Sequence, residues 1–175
     1  SGTPSFQDTS AVVEAFLIPG TVTVLGQDFS GLSLKDKTVT YNGEVHNVEV
    51  TGVPANATVA YTVDGEAFRG TKMAGTYEVT ATVTAPGFNK WEETATLTIN
   101  KKDLVLDANV PDKVYDGTAT IENFADYVTL EGVVEGDNVS IDYSNLNLSY
   151  FASHAGTWTL AGNAGVRGGD LPNYN

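Results

Sequence analysis

The sequence predicts an all-β fold of two small domains in tandem, either Ig-like sandwiches or compact mixed sheets. The first observation is a repeated pair of turn motifs. The first pair is YNG at residues 41–43 followed by AGTY at residues 74–77. The second pair is YDG at residues 115–117 followed by AGTW at residues 155–158, so each motif recurs after roughly 75 to 80 residues. The second observation is that the apolar runs are short, alternate with polar residues and are separated by turn residues. Together these features predict an array of one strand-built unit.

Composition narrows the class of partner. The chain has 175 residues with 41% apolar residues, which is enough for two small cores. With 22 acidic and 9 basic residues the net charge is −13, which disfavours nucleic acid and anionic lipid as partners. No apolar run reaches the roughly 20 residues of a membrane span, so we expect no membrane insertion. The absence of cysteine excludes disulfides and thiolate sites.

The first unit contains three well-marked strands. Residues 76–84 and 94–99 alternate apolar residues with threonine, which predicts strands with one buried and one solvated face. Residues 59–63 form a third strand that runs into Asp64 and Gly65, a dipeptide that favours a two-residue hairpin turn.

The second unit has the same kind of pattern. We predict strands over residues 103–106, 114–115, 127–130, 139–143, 146–150 and 157–161. One helical turn is predicted within residues 121–127, where Asn123 is a candidate cap.

Residues 1–30 differ from both units. Residues 11–17 fit a short helix, and an extended conformation fits them equally. Residues 21–25 (TVTVL) are a clearer strand. We expect this segment to be the tail of a preceding module or a donor strand.

Two family resemblances follow from these motifs. Residues 37–43, Pro54, Tyr61 and residues 74–77 and 96–99 resemble the MBG-type repeats of bacterial surface adhesins. Residues 113–119, 132–137, 155–156 and 172–174 are similar to the YDG-type repeats that occur beside them. The resemblance implies a stalk or display role outside a bacterium and carries no catalytic residues.

The second unit departs from its family at its end. YDG-type repeats continue after the Asn173–Tyr174 step into a last strand like residues 96–99, whereas this sequence stops at Asn175. Either the sequence ends short of that strand or the strand comes from elsewhere, and residues 21–25 of this chain or a neighbour are the candidate donor.

Catalytic constellations are weak in this sequence. Ser153 and His154 are strand neighbours that point to opposite faces, and Glu92 and Glu93 fail as a catalytic pair for the same reason. His46 is alone in a polar run. We therefore expect no enzymatic activity.

Four kinds of non-catalytic site are worth testing. Aromatic residues near strand ends form a candidate ligand platform for a sugar: Phe88, Trp91, Tyr150 and Phe151. Lys37 (or Lys35) and Asn100 are candidates for an intramolecular isopeptide bond. Acidic side chains are candidate Ca²⁺ ligands, although no calcium-loop motif is present: Glu135, Asp137, Asp142 and Asp170. The fourth is the acceptor site for the donor strand described above. Apart from Ca²⁺, no cofactor is expected.

These observations predict a non-enzymatic piece of a bacterial extracellular protein. We expect an N-terminal segment over residues 1–30, an MBG-like domain over residues 31–101 and a YDG-like domain over residues 102–175, joined semi-rigidly at residues 101–103. Its partners are then neighbouring repeats. The alternatives are an adhesin module that binds a glycan, mucin or host protein, and a filament subunit that assembles by β-strand donation.

Overall fold

The computed structural model describes residues 19–118, 121–150, 154–158 and 160–175. Within them the first domain contains seven strands: β1 (Ser33–Leu34), β2 (Lys37–Thr40), β3 (Val50–Thr51), β4 (Thr58–Val63), β5 (Glu66–Ala67), β6 (Gly75–Thr84) and β7 (Trp91–Asn100). The second domain contains β8 (Val105–Ala108), β9 (Val128–Glu131), β10 (Ser140–Tyr150) and β11 (Leu160–Arg167), with short 3₁₀ helices at Phe124–Tyr127 and Leu171–Asn173. The all-β prediction is confirmed.

The first domain is built around a five-stranded mixed sheet in the order β2-β7-β6-β4-β5. Its first strand, β2, is parallel to its last strand, β7, and the other pairs are antiparallel. A small antiparallel ladder between β1 and β3 accompanies this sheet. The predicted hairpin turn is confirmed, because Asp64 and Gly65 both have positive φ and Val63 pairs with Glu66.

Alternation in β6 and β7 explains the core of the first domain. The apolar residues of one face are buried (Val79, Ala81, Val83, Ala95, Leu97 and Ile99), while the intervening threonines line the other face. On that face the hydroxyls of Thr80 and Thr94 are 2.8 Å apart. Threonine favours the β conformation, and its hydroxyl can hydrogen bond to a threonine on the neighbouring strand. The sheet therefore has one buried apolar face and one solvated polar face.

The second domain has two antiparallel ladders, β8–β9 and β10–β11. Val128 and Ile141 are the centre of its own small core, and Ala108, Phe124, Leu130 and Ala164 pack around them. The two strands predicted over residues 139–150 are one strand, β10, with an irregular register between Asp142 and Asn147.

The two domains repeat one local geometry at the glycine that directly follows β3 in the first domain and β9 in the second. Gly52 and Gly132 have positive φ, and a side chain at either position would collide with the backbone of residues 31–32 or 103–104 respectively. Just after each glycine a turn closes with the same backbone bond, from Ala57 N–H to the Pro54 carbonyl and from Asp137 N–H to the Val134 carbonyl. The internal repeat is therefore structural as well as sequential.

Several predicted elements differ from the structure. Residues 21–25 and 114–115 form no strand, because neither segment has a neighbouring strand to pair with among the described residues. Asn123 immediately precedes the first 3₁₀ helix, yet it lies in the left-handed region and its side chain makes no capping bond. The helix considered over residues 11–17 lies outside the described residues. No described helix has the length and apolarity that a bilayer crossing requires.

Candidate functional site

The two domains meet at a joint without a spacer. Strand β7 ends at Asn100, and Lys102 already pairs with Tyr174 near the end of the second domain. Lys102 N–H donates to the Asn173 carbonyl at 3.0 Å, and Asn175 N–H donates to the Lys102 carbonyl at 3.0 Å. The last residues of the second domain thus pair with its first residues, next to the first domain.

A shared carboxylate lies at the centre of the joint. The Tyr41 hydroxyl of the first domain donates to Asp137 Oδ2 at 2.7 Å, and the Tyr174 hydroxyl donates to the same oxygen at 2.6 Å. The Tyr174 hydroxyl also accepts a hydrogen bond from Val134 N–H at 2.9 Å. The two tyrosine rings meet edge to face with their centroids 5.4 Å apart. We call Tyr41, Asp137 and Tyr174 the joint triad.

The joint triad holds both tyrosines in the protonated form. Burial and the hydrogen bond to Asp137 raise the pKa of Tyr41 well above its ordinary value of 10. The pKa of Tyr174 is raised for the same two reasons, with its bond from Val134 N–H acting in the opposite direction. A phenolate here would be buried beside a carboxylate, so the joint favours two neutral hydroxyl donors.

A buried asparagine makes a second link between the domains. Asn173 is fully buried, and its Oδ1 accepts a hydrogen bond from Ala74 N–H of the first domain at 2.9 Å. Its own backbone carbonyl is the acceptor for Lys102 described above. One side chain therefore ties the motif at residues 74–77 to the end of the second domain, 99 positions away in sequence.

The buried cluster of the first domain extends into the second domain through this joint. Tyr174 is buried among Leu34, Tyr41, Val48 and Leu97, and Leu104, Val134 and Val139 of the second domain pack against the same cluster. The domains share this contact while the second keeps its separate core around Val128 and Ile141.

The second domain also has an open cleft, with a volume of about 770 Å³. Residues 110–116 form one wall, and residues 154–158 form the other. Ile121 and Tyr127 are also part of the lining. Lys113 Nζ lies 3.2 Å from Asp116 Oδ1 in this lining. Bonds from Thr118 and Lys113 lower the pKa of the Asp116 carboxyl to about 2.

The wall at residues 154–158 contains the second copy of the glycine–aromatic motif. Trp158 Nε1–H donates to the His154 carbonyl at 3.2 Å, four residues earlier. In the first domain the Tyr77 hydroxyl donates to the Met73 carbonyl at 2.9 Å with the same spacing. Each ring covers the glycine two residues before it, Gly75 or Gly156. The motif is thus a local fold, in which the aromatic side chain closes its own turn.

The predicted isopeptide partners are on neighbouring strands but are not opposite each other. Lys37 pairs with Leu97, and Asn100 pairs with Thr40, so three residues or about 10 Å along the strands separate them. The Lys37 ammonium donates to the Asn47 carbonyl at 3.3 Å. Lys35 lies outside the strand pairing, between β1 and β2.

The described aromatic residues of the predicted ligand platform pack against different partners. Phe88 stacks on Phe29 with centroids 4.7 Å apart, and Trp91 packs against the buried cluster of the first domain. Tyr150 is the last residue of β10, and Phe151 lies outside the described residues.

The candidate calcium ligands are used separately. Asp137 accepts hydrogen bonds from the two tyrosine hydroxyls. Asp142 accepts hydrogen bonds from the amide and hydroxyl of Ser144, and Asp170 accepts one from Asn138 N–H. Glu135 is exposed on the turn before Asp137. Within the described ranges, no group of three or more acidic or histidine side chains is arranged to hold a metal ion.

The remaining candidates have ordinary partners. His46 Nε2 lies 2.8 Å from Asn42 Oδ1. Glu92 pairs with Lys90 at 3.1 Å, and Glu93 follows it in β7 with the opposite orientation. Ser153 lies outside the described residues, so its position relative to His154 is not described.

Sequence reasoning missed the joint triad and Asn173. Tyr41 begins the turn motif at residues 41–43 and is buried, but its partner Asp137 is 96 positions away in sequence. The Asn173–Tyr174 step was treated as the end of a repeat. The sequence signal for a buried role was that Asn173 and Tyr174, which can both hydrogen bond, directly follow the apolar Leu171 and Pro172.

Comparisons with known proteins agree with this architecture. Residues 30–103 match the MBG domain family, and residues 93–175 match the YDG domain family. The two matches overlap at residues 93–103, which include most of β7 and the start of the second domain. Searches of curated proteins and of solved structures found no match. The chain therefore contains an MBG domain at residues 30–103 and a YDG domain at residues 93–175.

Proposed function

We propose that the chain is a non-catalytic pair of structural repeats in a bacterial extracellular, adhesin-like protein, where it acts as a semi-rigid spacer in a stalk. The observation that carries this proposal is the joint between the domains. A spacer transmits orientation only if neighbouring units are fixed to each other, and flexible linkers lose that property.

The contacts at the joint support this mechanical role. Two charge-assisted hydrogen bonds converge on Asp137, and Asn173 crosses the boundary from a fully buried position. The polypeptide itself passes from β7 to the Lys102 pairing within two residues. Bending at this boundary would expose Tyr174 and leave buried polar atoms without partners, which costs free energy.

The acidic surface fits the same role. A net charge of −13 on 175 residues keeps neighbouring units soluble and repels copies that approach side by side.

The experiment is to label intact cells of the source organism with an antibody raised against the two domains. We expect labelling without permeabilisation. Labelling that requires permeabilisation would contradict the extracellular placement. A glycan array with the purified chain tests the adhesin alternative, for which specific retention of one glycan class is the required result.

A further inference from the structure

We propose that Asn42 and Gly43 form a self-modification site beside the joint triad. The Asn42 side chain closes onto the Gly43 nitrogen and releases ammonia, and water then opens the ring to an aspartyl or isoaspartyl linkage. This inference does not depend on the extracellular role. It rests on the contacts of the turn at residues 41–46 and on the position of that turn at the boundary between the domains.

The reactive pair is a unique sequence feature. Asn42 is the only asparagine in the sequence that is followed by glycine. Glycine has no Cβ, so its nitrogen is the least hindered main-chain nucleophile for the neighbouring side-chain carbonyl. Asn42 is exposed, and the Gly43 N–H has no acceptor among the described residues. The reaction therefore does not have to break a hydrogen bond of the fold at the attacking nitrogen.

The turn orients the Asn42 side chain for this attack. Glu44 N–H donates to Asn42 Oδ1 at 3.0 Å, which closes an Asx turn. In such a turn the side chain folds back along its own main chain, so its carbonyl group lies beside the following peptide unit. An unconstrained side chain adopts this arrangement only part of the time. The turn thus supplies in advance an orientation that would otherwise cost entropy.

A second donor converges on the same oxygen. His46 Nε2 lies 2.8 Å from Asn42 Oδ1, and because a carbonyl oxygen is an acceptor, this ring nitrogen carries the proton. Attack by the Gly43 nitrogen places negative charge on Oδ1, and two donors aimed at that oxygen stabilise the charge. The main chain of His46 is fixed separately, by reciprocal bonds with Thr71 at 2.9 and 3.0 Å.

The reaction balances with water as its one co-reactant. The Gly43 nitrogen forms a bond to Asn42 Cγ and gives its proton to solvent. The bond from Cγ to Nδ2 breaks with uptake of a proton, so that ammonia leaves and a five-membered succinimide remains. Water then opens this ring at one of its two carbonyls. Opening at the side-chain carbonyl gives aspartate, and opening at the main-chain carbonyl gives isoaspartate, in which the chain runs through Cβ and Cγ.

The second unit indicates that the aspartate product fits the turn. Its matching turn begins with Asp116, whose Oδ1 accepts a hydrogen bond from the main-chain N–H two residues later at 2.9 Å, as Asn42 Oδ1 does. Lys113 Nζ lies 3.2 Å from that carboxylate and balances its charge. In the first unit the new carboxylate oxygen would replace Nδ2, which lies 3.3 Å from Glu44 Oε2. Aspartate therefore keeps the turn but adds a like charge beside Glu44.

The isoaspartate product would disturb the joint, because both neighbours of Asn42 are fixed there. Tyr41 belongs to the joint triad, and its N–H donates to the Asn100 carbonyl at 2.8 Å. Gly43 faces the second domain, where a Cβ added to it would lie 2.9 Å from Val134 Cγ1. An isoaspartyl linkage adds one methylene to the main chain between these two positions. Since the reaction needs only water, the joint loosens as the protein ages.

Mass spectrometry of the purified chain, incubated at neutral pH, tests the site. Asn56 is the internal control, because it is also exposed, is followed by alanine, and its next N–H donates to the Pro54 carbonyl at 3.0 Å. Digestion after glutamate separates the two asparagines, since Glu44 lies between them. We expect a mass gain of about 1 Da to accumulate about tenfold faster at Asn42 than at Asn56. Equal rates at the two positions would overturn the proposal.

Two substitutions of His46 test the role of its ring. His46→Leu removes the donor to Oδ1, whereas His46→Gln offers an amide N–H in its place. Both variants keep the bridge to Thr71, which uses main-chain atoms. We expect His46→Leu to slow the mass gain by about five- to tenfold and His46→Gln to restore part of the rate. A native rate in His46→Leu would overturn the role assigned to this donor.

The effect on the joint is tested on the aged chain. Ion exchange separates the deamidated fractions, because each product carries one more negative charge, and an isoaspartate-specific methyltransferase identifies the isoaspartyl fraction. Asn42→Asp is the matched control, since it has the same charge without the added methylene. We expect the isoaspartyl fraction to melt at least about 2 °C below Asn42→Asp. Equal melting temperatures, or a product that is aspartate alone, would overturn the link between this site and the joint.

Discussion

Replacing Asp137 with alanine should weaken the joint between the domains more than any change of a surface carboxylate. The substitution removes the oxygen that accepts hydrogen bonds from Tyr41 at 2.7 Å and from Tyr174 at 2.6 Å. Tyr41 is 1% exposed and its hydroxyl is left without that acceptor, at a cost of about 1–3 kcal/mol. Tyr174 keeps its bond from Val134 N–H, so its loss is smaller. We expect a total of about 2–4 kcal/mol in the free energy of unfolding.

A double-mutant cycle with Tyr41→Phe isolates the joint contribution. In the Tyr41→Phe background no hydroxyl remains at position 41 to be orphaned, so Asp137→Ala should cost about 1–2 kcal/mol less than in the native chain. The assay is urea unfolding followed by intrinsic fluorescence. Glu135→Ala, at an exposed carboxylate on the same turn, is the control for loss of one carboxylate. An Asp137→Ala penalty that is the same in both backgrounds would refute the coupling between these two residues.

The remaining predictions concern pH and the repeated turns. Because the pKa values of Tyr41 and Tyr174 are raised in the folded protein, their stabilisation is complete below pH 10 and is lost as the pH rises above 10; a tyrosine absorbance titration should show two late-ionising groups, and one after Tyr41→Phe. Gly132→Ala and Gly52→Ala should each destabilise their own domain by roughly 1–3 kcal/mol or more, measured by thermal unfolding, since both positions have positive φ and face backbone atoms; a loss of a few tenths would contradict this. The Asp116 carboxyl should titrate near pH 2 by NMR, because Thr118 and Lys113 bond its charged form; a midpoint near 4 would show that this loop is open.

The predictable part of the fold was the part encoded by local alternation. Threonine–apolar alternation in β6 and β7 identified both strands and their buried faces, because strand side chains point to opposite sides in turn. The Asp64–Gly65 turn was predictable for a similar reason, since few dipeptides adopt positive φ twice.

The joint could not be predicted, because its partners are far apart in sequence. Asn173 meets Ala74 across 99 positions and Asp137 meets Tyr41 across 96, and neither pair leaves a periodic signal. Tyr115 has the same place in its turn motif as the buried Tyr41, yet it is half exposed. A tyrosine beside a turn is buried only when a neighbouring strand covers it, and that strand is a matter of sheet assembly and not of local sequence.

Residues 21–25 show the same distinction. Their composition is that of a strand, and the sequence prediction followed that composition. Strand structure also requires a partner for the backbone amides and carbonyls, and in the described chain this segment has none. Composition thus indicates which segments are able to pair, while the sheet decides which of them do.

The most direct test of the account is whether the two domains tumble as one body in solution. Residual dipolar couplings measured on amides of β6 and β7, and separately on those of β9 and β10, give an alignment tensor for each domain. The account predicts tensors of equal magnitude and one common orientation, fixed by the joint triad and Asn173. A clearly smaller tensor for either domain would show independent motion and contradict the semi-rigid joint on which the proposed function depends.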